Sequence, residues 1–261
     1  MKYTVITGAS SGIGYESALA FASRGKNVII IARRKEKLEE LKFEIAKMNQ
    51  NIEVVIRTTD LSMPENAYKL YEDLQQFEIE TWINNAGFGN FDPVAEHKLT
   101  KIESMLHLNI EALTILSSLY ARDYSNVEGA QLINVSSGGG YTIVENAVTY
   151  CATKFYVSAF TEGLAYELKG KEAKMKAKVL APAATETEFA QRSFDLDDFK
   201  YEGTVPKFHT AKEMAGFMLD LYDSEHVVGI VDGRTYEFQL RDPIYPYAVR
   251  SSNSSGSIKK F

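Results

Sequence analysis

The chain has 261 residues, 45% hydrophobic and 25% charged, with a formal net charge of −6. That length suits one large α/β core, and the negative balance gives no case for nucleic acid, whose binders need a clustered basic face. Cys151, the single cysteine, excludes an internal disulfide. No apolar run approaches the roughly twenty residues of a membrane span, and the amino terminus enters a strand at once, so a cytoplasmic protein is expected.

In chain order, β-branched runs at 3–7, 28–32, 54–58, 81–84, 131–136, 177–180 and 227–231 alternate with helical patterns at 13–24, 35–48, 64–77, 100–124, 149–169 and 211–223. The alternation predicts a doubly wound, seven-stranded parallel sheet with helices on both faces, a three-layer α/β/α domain over 1–261. Two segments fall outside it. Residues 187–209 carry Phe189, Phe194, Phe199, Tyr201 and Phe208 and read as a substrate-loop insertion. Residues 250–261, rich in serine, read as a flexible tail.

The first predicted strand runs into the stretch from Thr7 to Gly14, TGASSGIG, which opens the first helix. Gly8, Gly12 and Gly14 suit a tight turn that lets backbone approach a pyrophosphate, with the helix amino terminus facing the anion. The spacing is G-x-x-x-G-x-G, and Ile13 stands where a P-loop needs lysine. At the end of the second strand Ala32 stands where a carboxylate would select NAD, and Arg33 and Arg34 follow. Guanidinium groups suit a phosphate dianion, with Ser10 and Ser11 as added donors, so NADP(H) is the expected cofactor.

Tyr150 and Lys154 are four residues apart on a predicted helix and therefore share a face. A free phenol titrates near 10, and a neighbouring ammonium is expected to lower that value toward the range where a tyrosine transfers protons. Ser136 and Ser137 end the fifth strand, and Asn84 to Gly87 end the fourth. In open α/β sheets those carboxyl ends are where ligands bind. His97, His107, His209 and His226 are scattered, and no metal site is expected.

Together these motifs resemble the short-chain dehydrogenase/reductase family over residues 2–232, which implies a Rossmann-like fold. The resemblance places the cofactor site on Gly8, Ser10, Ser11, Gly12, Ile13, Gly14, Arg33, Arg34, Asp60, Leu61, Asn85, Ala86, Gly87, Pro182, Thr185 and Thr187, with Tyr150 and Lys154. Its catalytic tetrad falls on Asn109, Ser137, Tyr150 and Lys154. The implied roles are Tyr150 as general acid/base and Ser137 as the hydrogen bond to the substrate oxygen. Lys154 would lower the tyrosine pKa and bind the nicotinamide ribose, and Asn109 would support a water that links Lys154 to solvent. One departure is Ala183, where the family usually has glycine after Pro182.

The expected activity is hydride transfer between NADP(H) and a carbonyl/secondary-alcohol pair, the substrate leaning toward bulky or apolar because of Phe88, Phe91 and the aromatic 187–209 segment. A non-catalytic nucleotide-binding or redox-sensing protein on the same fold is the alternative; such a protein would have lost Tyr150 or Lys154. A nucleotide-sugar epimerase would need a larger carboxyl-terminal domain. The resemblance also implies a homodimer or homotetramer paired through the helices at 100–124 and 149–169.

Overall fold

Strand β1 (Lys2–Thr7) leads into α1 (Gly12–Ser23), and the step repeats through β2 (Asn27–Ala32), α2 (Lys35–Met48), β3 (Val54–Thr58), α3 (Pro64–Leu74) and β4 (Glu78–Asn84). These assignments come from a computed structural model that describes residues 1–248; the tail expected at 250–261 lies outside them. The second half comprises α4 (Leu99–Leu106), a π-helical turn (His107–Ala112), α5 (Leu113–Tyr124), β5 (Gln131–Val135), α6 (Val148–Gly170) and β6 (Lys176–Ala181). Then follow β7 (Thr185–Glu186), α7 (Phe189–Ser193), β8 (His209–Thr210), α8 (Ala211–Asp223), β9 (Val228–Val231) and β10 (Phe238–Arg241).

The main sheet has eight strands in the order β10-β9-β6-β5-β4-β1-β2-β3. All seven predicted parallel strands are present, and β10 adds an antiparallel edge to β9. The expectation of seven strands is thus short by one. Asp232 makes the reversal: its Oδ1 accepts the N–H groups of Arg234 and Thr235, and its carbonyl accepts that of Tyr236. The returning strand is only four residues long, too short for a period-2 signal. It is fixed by packing, with Phe238 stacked on Phe217 of α8 at 4.4 Å.

Because helices cover both faces, the central strands are apolar without alternation. Val28 and Ile30 pack with Phe21, Leu38 and Met218 on one face, whereas Ile29 and Ile31 pack with Leu70, Trp82 and Leu116 on the other. Each such side chain contributes about 1.5–3 kcal/mol by leaving water, so a one-residue slip of β2 would misplace its whole set. Strand order reverses at β1, which pairs with β2 on one side and β4 on the other. The crevice at that switch point is where such sheets bind ligands.

The helical pattern at 100–124, predicted as one helix, is interrupted by the π-helical turn, which adds a residue to the winding and turns Asn109 into the interior. The 187–209 segment is closed at its base, since β7 pairs in parallel with β8. A capping box of Thr210 and Glu213 then starts α8. No helix among the described residues is long and apolar enough to cross a membrane.

Candidate active site

Thr7 ties the ends of β1 and β4 together. Its Oγ1 accepts the Asn85 and Ala86 N–H groups, each at 3.0 Å, while Asn85 Nδ2 donates to the Thr7 carbonyl at 2.9 Å. The turn between them needs glycine. Gly8 has φ +70° and its missing Cβ would lie 2.8 Å from the Ala86 Cα; Gly12 has φ +58° and would meet Thr187 Cγ2 at 2.7 Å. Ser11, the residue before α1, makes no side-chain cap. The first-turn amides of α1 are therefore not satisfied by their own cap and suit a pyrophosphate.

A cavity of about 1020 Å³ opens over the carboxyl ends of the strands. Gly8, Ser10, Ser11, Gly12 and Ile13 form its floor, Arg33 and Arg34 one rim, and Asp60 and Leu61 the adjoining wall. Asn85, Ala86 and Gly87 line the centre; Ser137, Tyr150 and Lys154 line the far side, with Pro182, Thr185 and Thr187 above. Of the residues expected at the site, Gly14 and Asn109 are the two off this wall. Gly14 is buried against Asn85 Nδ2, and Asn109 sits one layer behind the wall. Ala183 keeps negative φ, so the path after Pro182 does not call for the family's glycine.

Both arginines at the rim face carboxylates. Arg33 Nη1 lies 3.8 Å from Asp60 Oδ2. Arg34 forks onto Glu188, with Nη1–Oε1 at 3.2 Å and Nη2–Oε2 at 2.9 Å, and Nη2 also donates to Ser10 Oγ at 3.2 Å. Glu188 was not expected at the site: 154 residues separate it from Arg34, and no local pattern in sequence joins them. Burial acts to raise the Glu188 carboxyl, but the guanidinium groups of Arg34 and Arg192 hold it below its usual range.

On α6 the four-residue spacing brings Tyr150 and Lys154 to one side. The Tyr150 ring lies between Phe189, at 5.4 Å between centroids, and Phe91, at 6.1 Å. Burial raises its phenol well above the ordinary tyrosine value, opposed by a hydrogen bond with Ser137. Lys154 Nζ donates to the Val135 carbonyl at 2.9 Å and stands 5.9 Å from the Tyr150 ring centroid. Burial pushes this ammonium down to about 8. Desolvation thus sets the direction of the tyrosine shift, and the group that opposes it is Ser137. Ser137 Oγ accepts the Gly139 N–H at 3.0 Å, which fixes the hydroxyl beside the phenol.

Asn109 is held by three side-chain hydrogen bonds. Its Oδ1 accepts the Phe88 N–H at 3.2 Å, and its Nδ2 donates to the Phe88 carbonyl at 2.9 Å and Thr153 Oγ1 at 3.1 Å. The amide braces the loop after β4, and both Nδ2 protons are used in doing so. A Cβ on Gly87 would nonetheless meet both Asn109 Oδ1, at 3.1 Å, and Lys154 Nζ, at 3.5 Å, so the two border one small space. Tyr141 and Glu162 also escaped sequence reasoning: Tyr141 lines the cavity and donates its hydroxyl to the buried Glu162 at 2.6 Å.

A sequence profile of the family described as short chain dehydrogenase matches residues 2–197. The human dehydrogenase/reductase SDR family member 11 is 30% identical over 217 residues, covering 81% of this chain and 84% of that protein. Among solved structures, a short-chain dehydrogenase from Sphingobium yanoikuyae in complex with NADPH superposes with a TM-score of 0.80 at 28% identity, covering 88% of this chain and 87% of that one. A bulky-bulky ketone specific alcohol dehydrogenase from Comamonas testosteroni gives 0.76 at 26%, covering 88% and 86%. The chain belongs to the short-chain dehydrogenase/reductase family and is an oxidoreductase on a Rossmann-like fold.

Proposed function

We propose that the protein interconverts a ketone or aldehyde and the corresponding alcohol with NADP(H), taking bulky or apolar substrates. The observation that carries this reading is a single cavity that joins the glycine turn and Arg34 at one end to Tyr150, Ser137 and Lys154 at the other. The residues fit the cofactor: two positive-φ glycines keep the floor open, α1 offers its first amides, and Arg33 and Arg34 stand at the rim. When bound, the nicotinamide supplies the hydride.

This chain's own residues handle the proton and the oxygen. Tyr150, kept protonated by its dry surroundings, donates its phenolic proton to the substrate oxygen as negative charge develops there. Ser137 hydrogen-bonds the same oxygen and steadies that charge. Lys154 provides the positive charge that limits the cost of the phenolate left behind, and Phe91 and Phe189 exclude water from the phenol. The NADPH-bound relative and the relative specific for bulky ketones support the cofactor and substrate class.

The test is a titration with NADPH and NADH followed by assay against aryl and bicyclic ketones. Tighter binding of NADPH, by about tenfold or more, with oxidation of the cofactor by at least one bulky ketone, is expected. Equal or NADH-favoured binding would remove the NADP assignment. Binding without turnover of any carbonyl would favour a nucleotide-binding protein that does no chemistry.

A further inference from the structure

Glu188 belongs to a run of three residues that touches every part of the cavity. Thr187 packs over the Gly12 turn, Glu188 forks onto Arg34, and Phe189 covers the Tyr150 ring. Thr187 Oγ1 also accepts the Phe189 N–H at 3.1 Å, so the three move as one turn. Just past α7 the chain is held separately, where Asp195 receives Lys101 Nζ at 2.7 Å and Lys98 Nζ at 3.5 Å, both at the start of α4.

The group that Arg34 grips is a carboxylate that presents two oxygens in the forked geometry of a phosphate edge. Ser10 Oγ completes the same cluster, and Arg192, one turn along α7, pairs with Glu188 Oε2, the oxygen that also receives Arg34 Nη2. A phosphate dianion carries more charge than a carboxylate and binds a guanidinium more strongly. Because Arg192 can keep Glu188, releasing Arg34 does not leave an unpaired carboxylate.

Building on the NADP reading above, we propose that Glu188 competes with the 2′-phosphate of the nucleotide for Arg34, so that the phosphate unlatches the amino-terminal end of the 187–209 segment. Recognition of the phosphate is thereby coupled to the wall over Tyr150. NADPH and NADH would then differ in how they leave the substrate pocket, as well as in affinity.

The probes are adenosine 2′,5′-bisphosphate and 5′-AMP, which reach the rim without covering the nicotinamide end. Binding is measured by calorimetry on the wild type and on Glu188→Gln, with hydrogen exchange of the amides at 188–194. Glu188→Gln is expected to bind the bisphosphate about tenfold more tightly with 5′-AMP unchanged. In the wild type the bisphosphate, and not 5′-AMP, is expected to speed exchange at 188–194 to the rate seen in ligand-free Glu188→Gln. Preferential bisphosphate binding that Glu188→Gln leaves unchanged or weakens would overturn the competition alone, making Glu188 a residue that orients Arg34. Exchange insensitive to the bisphosphate would overturn the coupling. A wild type that binds both probes equally would sink the NADP reading and the competition with it.

Discussion

At the scale of single residues, Tyr150 is governed by burial more than by its neighbours. Its ring is enclosed by Phe91 and Phe189, and the only hydrogen bond that works against the resulting rise in pKa comes from Ser137. Such a phenol is kept in its protonated form. Tyr150→Phe removes the hydroxyl and leaves the ring in place. It is expected to lower kcat for reduction by about a thousandfold, with NADPH affinity within about threefold because the glycine turn and the arginines are untouched. Steady-state kinetics beside a fluorescence titration would check both halves. A large loss of NADPH affinity would mean that the phenol holds the cofactor instead of the substrate oxygen.

At the scale of elements, the carboxyl-terminal segment depends on one carboxylate. Glu162, almost fully buried on α6, accepts the N–H groups of Ile244 at 2.6 Å and Tyr245 at 2.8 Å with one oxygen and the Tyr141 hydroxyl with the other. Tyr245 stacks on Tyr141 at 5.3 Å and donates its hydroxyl to the Gly140 carbonyl. The strap thus bears on the glycine turn that follows Ser137. Glu162→Ala strands three donors in a dry site and is expected to cost about 2–4 kcal/mol, with faster hydrogen exchange at 242–247. The same variant should raise KM for bulky ketones while kcat changes little, since the strap's hydrogen bonds and stack fall on Glu162, Tyr141 and Gly140 and not on the side chains of Tyr150 or Lys154. Chemical denaturation and exchange measurements decide it; an unchanged midpoint would refute the clamp.

At the scale of the whole molecule, opposed titrations set the pH of greatest stability. Lys154 and Lys178 are both held near 8 by burial, below the 10.5 of a free lysine, and Lys178 donates to the carbonyls of Leu221, Tyr222 and Ser224 at the end of α8. Between about 8 and 10.5 the folded chain binds fewer protons than the unfolded one, so stability rises with pH across that window and is lost as pH falls through 8. The tyrosines act in the other sense. Tyr3 and Tyr245 are pushed up to about 12 by burial, and Tyr71, Tyr120 and Tyr141 are raised further. Their contribution is present below 10 and lost as pH rises toward 12. Urea midpoints are therefore expected to peak between about pH 9 and 10, and a decline from neutral pH upward would contradict the lysine assignments.

The sequence by itself determined the parallel core and most of the site. Short β-branched apolar runs such as Val28 to Ala32 suit strands covered on both faces. The G-x-x-x-G-x-G turn, Ser137, Tyr150 and Lys154 are local patterns whose spacing carries their chemistry. Tertiary structure decided what has no local pattern: the β10 edge, made by a turn at Asp232 and the Phe217–Phe238 stack, and the π-helical turn that points Asn109 at Phe88. It also decided charge. Arg34 and Glu188 meet only because β2 and the chain after β7 end at the same edge of the cavity, and burial, which no motif reports, is what raises Tyr150 and lowers Lys154. Spacing along a chain fixes which groups can share a face, whereas desolvation and ion pairing depend on segments brought together by folding.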